Sequence, residues 1–102
     1  MPKGYLILTE EIRDRAGMDA YGVASFPSIR EFGARVLVAA ENIDVVEGEW
    51  HGHRTVVVEF DSVEHARAWY TSESYQAALP LRLAASNCNG VIVPGFEPAG
   101  AT

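Results

Sequence analysis

Two histidines in a short polar stretch are the first candidates for chemistry. In Trp50-His51-Gly52-His53 the imidazoles are two residues apart, a spacing that places both rings on one side of a strand, as a metal site requires. Gly52 and the lack of a third ligand nearby favour an exposed turn instead. We therefore predict no metal centre and keep His53 as a candidate proton shuttle at the rim of a pocket.

Glu59 and Arg35 interrupt two otherwise apolar strand segments, so each side chain must reach solvent or meet a partner. Strand alternation places Glu59 on the same side as Thr55 and Val57. If that side faced a helix layer, burial would raise the pKa of Glu59 and make it a candidate general base. The alternative is a structural salt bridge with Arg35 or Arg54.

Aromatic side chains are candidates for the wall of a ligand pocket. Trp69, Tyr70 and Tyr75 lie at the junction of two predicted helices, where large rings can enclose a ligand and an OH or NH can orient it. Tyr75 is the best ligand candidate among them, and Trp69 is the one most suited to the core. Tyr5 in the first strand and Phe26 in the first helix are the other expected lining residues, and Arg35 is the charged residue expected to contact the ligand.

The segment Ser86–Gly90 has the composition of a polar turn, in which the amide of Asn87 would bind a ligand or its own backbone. Cys88 is the single cysteine, and with no charge nearby it is interpreted as a small buried residue. One cysteine excludes an intramolecular disulfide and favours a reducing compartment. No phosphate loop, dinucleotide fingerprint or Ser-His-Asp spacing is present, so no cofactor is predicted.

Composition indicates one small soluble domain. The chain has 102 residues, 48% of them hydrophobic, and a formal net charge of −6 without a lysine or arginine cluster. This charge argues against nucleic acids and anionic membranes as partners. No apolar run is long enough for a membrane span, and no signal segment precedes the first strand, so a cytoplasmic location is expected.

Hydrophobic periodicity and turn residues predict the elements that position these side chains. Asp61-Ser62 followed by Glu64 indicates a capped helix start, and Thr71-Ser72-Glu73 repeats that signal. In chain order we predict a strand over 5–12, a helix over 18–33 with a kink at Pro27, a strand over 35–40 continuing through 43–47, a strand over 54–60, helices over 61–70 and 71–79, a turn over 81–85 and a strand over 90–94.

This order predicts an α+β, ferredoxin-like βαββαβ fold with an antiparallel sheet and helices on one face. The runs Val36-Leu37-Val38, Val56-Val57-Val58 and Val91-Ile92-Val93 are apolar at consecutive positions, hence on both faces. No segment is left to cover the second face. We therefore predict a homodimer with the sheets packed face to face, the alternative being a monomer with an unusually apolar surface.

The run Ala66–Gln76, with its Trp-Tyr-x-Ser-x-x-Tyr-Gln pattern, resembles domain-of-unknown-function family 1330 over about Gly4 to Gly95. Val46–Trp50, Val58–Phe60 and Gly33-Ala34-Arg35 support the resemblance, although Gly33-Ala34 stands where the family has Gly-Gly. The resemblance implies the dimeric α+β barrel superfamily. That superfamily includes cofactor-free oxygenases, lactone isomerases, haem-handling enzymes and amino-acid-sensing modules, so it implies function only by analogy.

The sequence is thus interpreted as one domain over 1–102, with an ordered core over about 4–95 and a flexible tail over 97–102. Its expected function is to bind a small, mostly apolar metabolite between helices and sheet, as a cofactor-independent oxygenase or isomerase. The alternative is a non-catalytic ligand-binding or protein-interaction module. An ionisable group inside the pocket would favour catalysis.

Overall fold

The computed structural model describes residues 2–98 and has a ferredoxin-like α+β fold. Four antiparallel strands form one sheet in the order β2-β3-β1-β4, with three helices against one face. The elements are β1 (Gly4–Ile12), α1 (Arg15–Glu31), β2 (Arg35–Ala40), β3 (Arg54–Phe60), α2 (Val63–Tyr70), α3 (Glu73–Ala85) and β4 (Ser86–Pro94). The predicted fold class is confirmed.

A polar side chain caps the N-terminus of each helix. The carboxylate of Asp14 accepts the amide of Gly17, and the hydroxyls of Ser62 and Ser72 accept the amides three residues on. Each bond satisfies a backbone donor that the first helical turn leaves free. The short α2 and α3 therefore start at fixed residues, which positions the aromatic side chains at their junction.

The core lies between the helices and the inner face of the sheet. Leu6 and Leu8 of β1 point into it, and Trp69 and Tyr75 stack above them with ring centroids 3.9 Å apart. The indole Nε1 of Trp69 donates to the Ser28 hydroxyl of α1 at 2.9 Å. All three helices therefore meet around one aromatic pair whose polar atoms are satisfied.

The outer face of the sheet carries no helix. Strand alternation places Tyr5, Ile7, Val57 and Val91 on it, in register across the three neighbouring strands β3, β1 and β4. At the β2 edge the register shifts between residues 36 and 38, so that Val38, 40% exposed, pairs with outer-facing Val57. The predicted two-sided apolar character is present. Within residues 2–98 no helix packs on this face, and the loop between β2 and β3 reaches it only at one end, where Trp50 Nε1 donates to the Thr55 hydroxyl at 3.0 Å.

Pro27 and Pro80 lie inside continuous helices. The expected kink at Pro27 does not end α1, which runs to Glu31, and α3 continues through Pro80 to Ala85, where a turn was predicted. A proline removes one backbone donor, whereas buried side chains on either side of Pro80 hold the helix against the core. Leu79 and Arg82 are among these buried residues.

Two strand predictions also need correction. Residues 43–47 form no strand, because β2 is the sheet edge and offers no neighbour to pair with beyond Ala40. Residues 86–90, predicted as a polar turn, are instead the first half of β4, because β1 extends to Ile12 and supplies their hydrogen-bond partners. Of the predicted tail over 97–102, residues 99–102 lie outside the described part of the chain.

Candidate functional site

A cavity of about 170 Å³ lies between α1 and the inner face of the sheet. We call it the α1 cavity. Its wall is mainly apolar, with two charged side chains, Glu10 and Arg54, among the lining residues. Further lining side chains come from β1, α1, β3 and α2: Leu6, Leu8, Met18, Tyr21, Phe26, Ile29, Val56, Val58 and Trp69.

Glu10 is the chemically distinctive residue of the α1 cavity. Only 1% of it is exposed, and its Oε1 has no hydrogen-bond partner within residues 2–98. The Nε of Arg54 lies 3.5 Å from that oxygen but makes no hydrogen bond to it, and Nε too is buried without a partner. Burial raises the pKa of the Glu10 carboxyl, more than the nearby positive charge of Arg54 lowers it.

The sheet register brings this pair together. Glu10 shares the inner side of β1 with Leu6 and Leu8, because successive side chains of a strand alternate between faces. Arg54 begins β3 directly opposite Glu10. The sequence contained the signal for Glu10 in this two-residue phase with Leu6 and Leu8, inside the strand predicted over 5–12, but Glu10 was not among the predicted site residues.

Of the predicted ligand-binding aromatics, two line the α1 cavity. Phe26 lies at its rim, half exposed, and Trp69 closes its floor. Tyr75 is a fully buried core residue that does not line the cavity. Its hydroxyl is 2.9 Å from that of Tyr21 and accepts from Arg82, and burial raises its pKa, which keeps the phenol protonated.

Tyr5, Arg35 and Glu59 form a cluster on the outer face of the sheet, away from the α1 cavity. The Tyr5 hydroxyl donates to Glu59 Oε2 at 2.9 Å, and Arg35 Nε donates to Glu59 Oε1 at 3.1 Å. The Arg35 guanidinium, and next the Tyr5 hydroxyl, lower the pKa of the Glu59 carboxyl. Glu59 was a candidate base of raised pKa only if its side chain faced the helix layer. It faces the outer side of the sheet instead, and the predicted alternative, a salt bridge with Arg35, is observed.

His51, His53 and Asn87 also lie outside the α1 cavity. His51 Nδ1 is 2.8 Å from the Thr9 hydroxyl, and His53 Nε2 is 3.9 Å from a carboxylate oxygen of Glu41. Asn87 is exposed on β4, where strand pairing with β1 turns its side chain to the outer face. Within residues 2–98 no three His, Cys, Asp or Glu side chains are grouped as a metal ion would require.

The model of the family described as "Domain of unknown function (DUF1330)" matches residues 3–96. The chain belongs to the DUF1330 family. No similar sequence was found among proteins of curated function. The family resemblance of the Trp-Tyr-x-Ser-x-x-Tyr-Gln pattern is thereby confirmed.

Solved structures share the fold of this DUF1330 protein at low sequence identity. A protein of unknown function from Rhodopseudomonas palustris has a TM-score of 0.78 at 18% identity, over 95% of this chain and 85% of that one. A dimeric ferredoxin-like protein of unknown function from Jannaschia sp. CCS1 has a TM-score of 0.66 at 14% identity, over 89% and 97%. SnoaB, a cofactor-independent oxygenase from Streptomyces nogalater, has 0.65 at 5% identity, over 98% and 99%.

The pattern that carries the family resemblance builds the junction of α2 and α3. Ser72 caps α3, Gln76 Nε2 donates to the Tyr70 carbonyl at 2.7 Å, and Tyr75 stacks on Trp69. These contacts are structural, and only Trp69 also reaches the α1 cavity. None of the helices in residues 2–98 is long and apolar enough to cross a membrane.

Proposed function

We propose that this DUF1330 protein binds a small, mostly apolar molecule in the α1 cavity and that Glu10 transfers a proton on it. The observation that carries the proposal is a buried carboxyl with an unpartnered oxygen and a raised pKa at the wall of an apolar cavity. An ionisable group with a shifted pKa in such a place is typical of a general base or acid.

The neighbouring guanidinium fits the same chemistry. When ionised Glu10 removes a proton from a carbon next to a carbonyl, the bonding electrons pass to the carbonyl oxygen as an enolate. Arg54 lines the same cavity and would stabilise that negative charge. Return of the proton to another carbon would complete an isomerisation. Reaction of the enolate with dioxygen as a second substrate would begin a cofactor-independent oxygenation, the class of the SnoaB neighbour.

We infer that the protein acts as a homodimer in which two outer faces pack into an α+β barrel. Exposed Val38 and Val91 and the half-buried Val57 give that face an apolar area that water would otherwise cover. The description of structural neighbours as dimeric supports this inference. The cluster of Glu59, Arg35 and Tyr5 would then contribute polar contacts within the barrel.

A non-catalytic binding module is the second candidate. The observation that favours it is the cross-strand register of Glu10 with Arg54, since opposite charges facing each other on neighbouring strands are also a structural pairing. In that case the cavity would hold a ligand without changing it. The two candidates differ in whether a bound molecule exchanges a proton.

Hydrogen–deuterium exchange at carbon distinguishes them. The protein would be incubated in D₂O with small cyclic and aromatic ketones, and incorporation of deuterium beside the carbonyl would be followed by mass spectrometry. We expect the native protein to accelerate exchange and Glu10→Gln to abolish it. Exchange that is equal in Glu10→Gln, or that the native protein does not accelerate, would reject a base at Glu10.

A matched pair of α1 variants tests whether the cavity is the place of reaction. Gly22 lines the α1 cavity, and a Cβ added there meets nothing within 4 Å, so Gly22→Leu can occupy the cavity without a backbone clash. Ala20 is exposed on the same helix and lies outside the cavity lining. Exchange should be lost in Gly22→Leu and retained in Ala20→Leu.

A further inference from the structure

A second cavity, of about 370 Å³, lies between β4 and the helices α2 and α3, on the same inner side of the sheet as the α1 cavity. We call it the β4 cavity. Leu6 and Leu8 line both cavities, but the charged lining residues differ. Those of the β4 cavity are Arg67 and Arg82, and its lining contains no carboxylate. Both formal charges at this wall are therefore positive.

Arg82 is a buried cation with neutral neighbours. It is 4% exposed, and its guanidinium donates to the Tyr75 hydroxyl from Nε and Nη2, at 3.4 and 3.2 Å, and to the Cys88 sulfur from Nη1, at 2.8 Å. No carboxylate oxygen in residues 2–98 lies within 4.0 Å of it, in contrast to Arg54 beside Glu10. A guanidinium has five N–H donors, so two remain for another acceptor.

The buried charges around Arg82 do not balance. Glu10 on β1 pairs with Cys88 on β4, and the positive charge of Arg82 lowers the pKa of the Glu10 carboxyl. With the partly exposed Arg54, the inner face thus holds two cations for one carboxyl, an excess of one positive charge if Glu10 is ionised and of two if it is protonated. Glu41, the other acid whose charge acts on Glu10, is 42% exposed and pairs with Arg15. A buried uncompensated cation is costly and favours an anion.

A glycine leaves space beside this cation. Gly90 lies on the inner side of β4, opposite Leu8, and lines the β4 cavity. A Cβ there would come within 2.8 Å of Leu8 Cδ2. Glycine inside a strand weakens the strand and is used where another group must approach closely. The missing side chain keeps the floor of the cavity open next to apolar Ile92.

We propose that the β4 cavity binds a small apolar carboxylic acid, with its carboxylate on the two free donors of Arg82 and its apolar part against Leu83 and Ile92. Charge-assisted, paired N–H bonds from a guanidinium fit the planar carboxylate. Arg67 is exposed at the mouth and adds attraction for an anion entering from solvent. This site goes beyond the proposed function, because it uses a separate cation and a separate cavity.

Cys88 provides a direct reporter. It is the single cysteine, it is partly exposed, and it lines the β4 cavity beside Arg82. Its alkylation by neutral iodoacetamide would be timed by mass spectrometry with sodium benzoate as the probe, and with uncharged benzamide and sodium chloride as controls. Benzoate at ten times its Kd should slow alkylation about tenfold, because about one site in ten stays empty. Benzamide and chloride should leave the rate unchanged.

Variants separate the two cavities. Arg82→Gln removes the charge, and Gly90→Val fills the space. A Cβ at residue 90 comes within 2.8 Å of the flexible end of Leu8 and is in ordinary contact, at 3.9 Å, with the Ile7 carbonyl oxygen. Circular dichroism checks the fold of each variant, and either one that folds tests the proposal. Benzoate protection should be lost in both and retained in Arg13→Gln, an exposed control, and in Gly22→Leu, which fills the α1 cavity. Equal protection by benzamide, no protection in the native protein, or protection that survives in folded Arg82→Gln or Gly90→Val would overturn the proposal.

Discussion

Replacing Glu10 with glutamine should stabilise the protein at neutral pH, although the change removes one partner of an ion pair. Two charges 3.5 Å apart attract by about 5 kcal/mol at an effective dielectric constant of about 20. Withdrawing each ion from water costs several kcal/mol. Because burial raises the pKa of Glu10, desolvation outweighs attraction at this site.

Proton linkage gives the direction in which Glu10 changes the free energy of unfolding with pH. A raised folded-state pKa means that the folded protein holds this proton to higher pH than the unfolded chain, which releases it near pH 4.3. The contribution of Glu10 to stability is therefore fully present below that pH and is lost as pH rises through the folded-state pKa. Each pKa unit of difference corresponds to about 1.4 kcal/mol.

The assay is urea unfolding of native protein and Glu10→Gln from pH 4 to pH 8. The two free energies of unfolding should be similar near pH 4, where the carboxyl is protonated, and the native protein should become the less stable one towards pH 8. Glu59→Gln is the control of opposite sign, because its lowered pKa makes the native carboxylate stabilising above pH 4. A native advantage over Glu10→Gln that grows with pH would refute the reasoning.

Three further predictions concern the assembly, the core and the outer face. Val57→Asp places a carboxylate in the inferred sheet-to-sheet contact and should weaken the dimer by about 3 kcal/mol, roughly a hundredfold in Kd. Light scattering after size exclusion should show a monomer for this variant and a dimer for Val23→Asp, in which the replaced residue is exposed. A dimeric Val57→Asp protein would contradict the barrel. Trp69→Phe removes the bond to Ser28 and should cost about 1 kcal/mol or more in urea unfolding, so an unchanged midpoint would show that bond to be dispensable. Arg35→Gln should raise the pKa of Glu59 in an NMR titration. An unchanged pKa would show that Arg35 is not the main cause of the lowered pKa of Glu59.

The fold could be predicted because its signals are local and agree with one another. The caps at Ser62 and Ser72 and the apolar run of β3 each specify an element within a few residues, and the order of elements specifies the topology. The predictions were wrong where the conformation of a segment depends on a partner that is distant in the sequence. Residues 86–90 are strand only because β1 offers them hydrogen bonds, which the polar side chains themselves do not reveal.

The site was harder to predict, because one residue of alternation decides which face a side chain lines. Glu59 and Tyr5 have the residue types of a site, yet both lie on the outer face, whereas Glu10 has the inner phase of Leu6 and Leu8. Phe26 and Trp69, two of the predicted ligand-binding residues, line the α1 cavity, and their contact with a ligand stays a prediction. Arg82 could not be placed by its spacing, because its neutral partners come from two different elements.

Native mass spectrometry of the freshly purified protein, followed by denaturing mass analysis, tests most directly whether the α1 cavity is a ligand site. We expect native protein and Ala20→Leu to carry a small-molecule component that is lost on denaturation, and Gly22→Leu to lack it. The same component in Gly22→Leu, or no component in any of the three proteins, would contradict the assignment of this cavity.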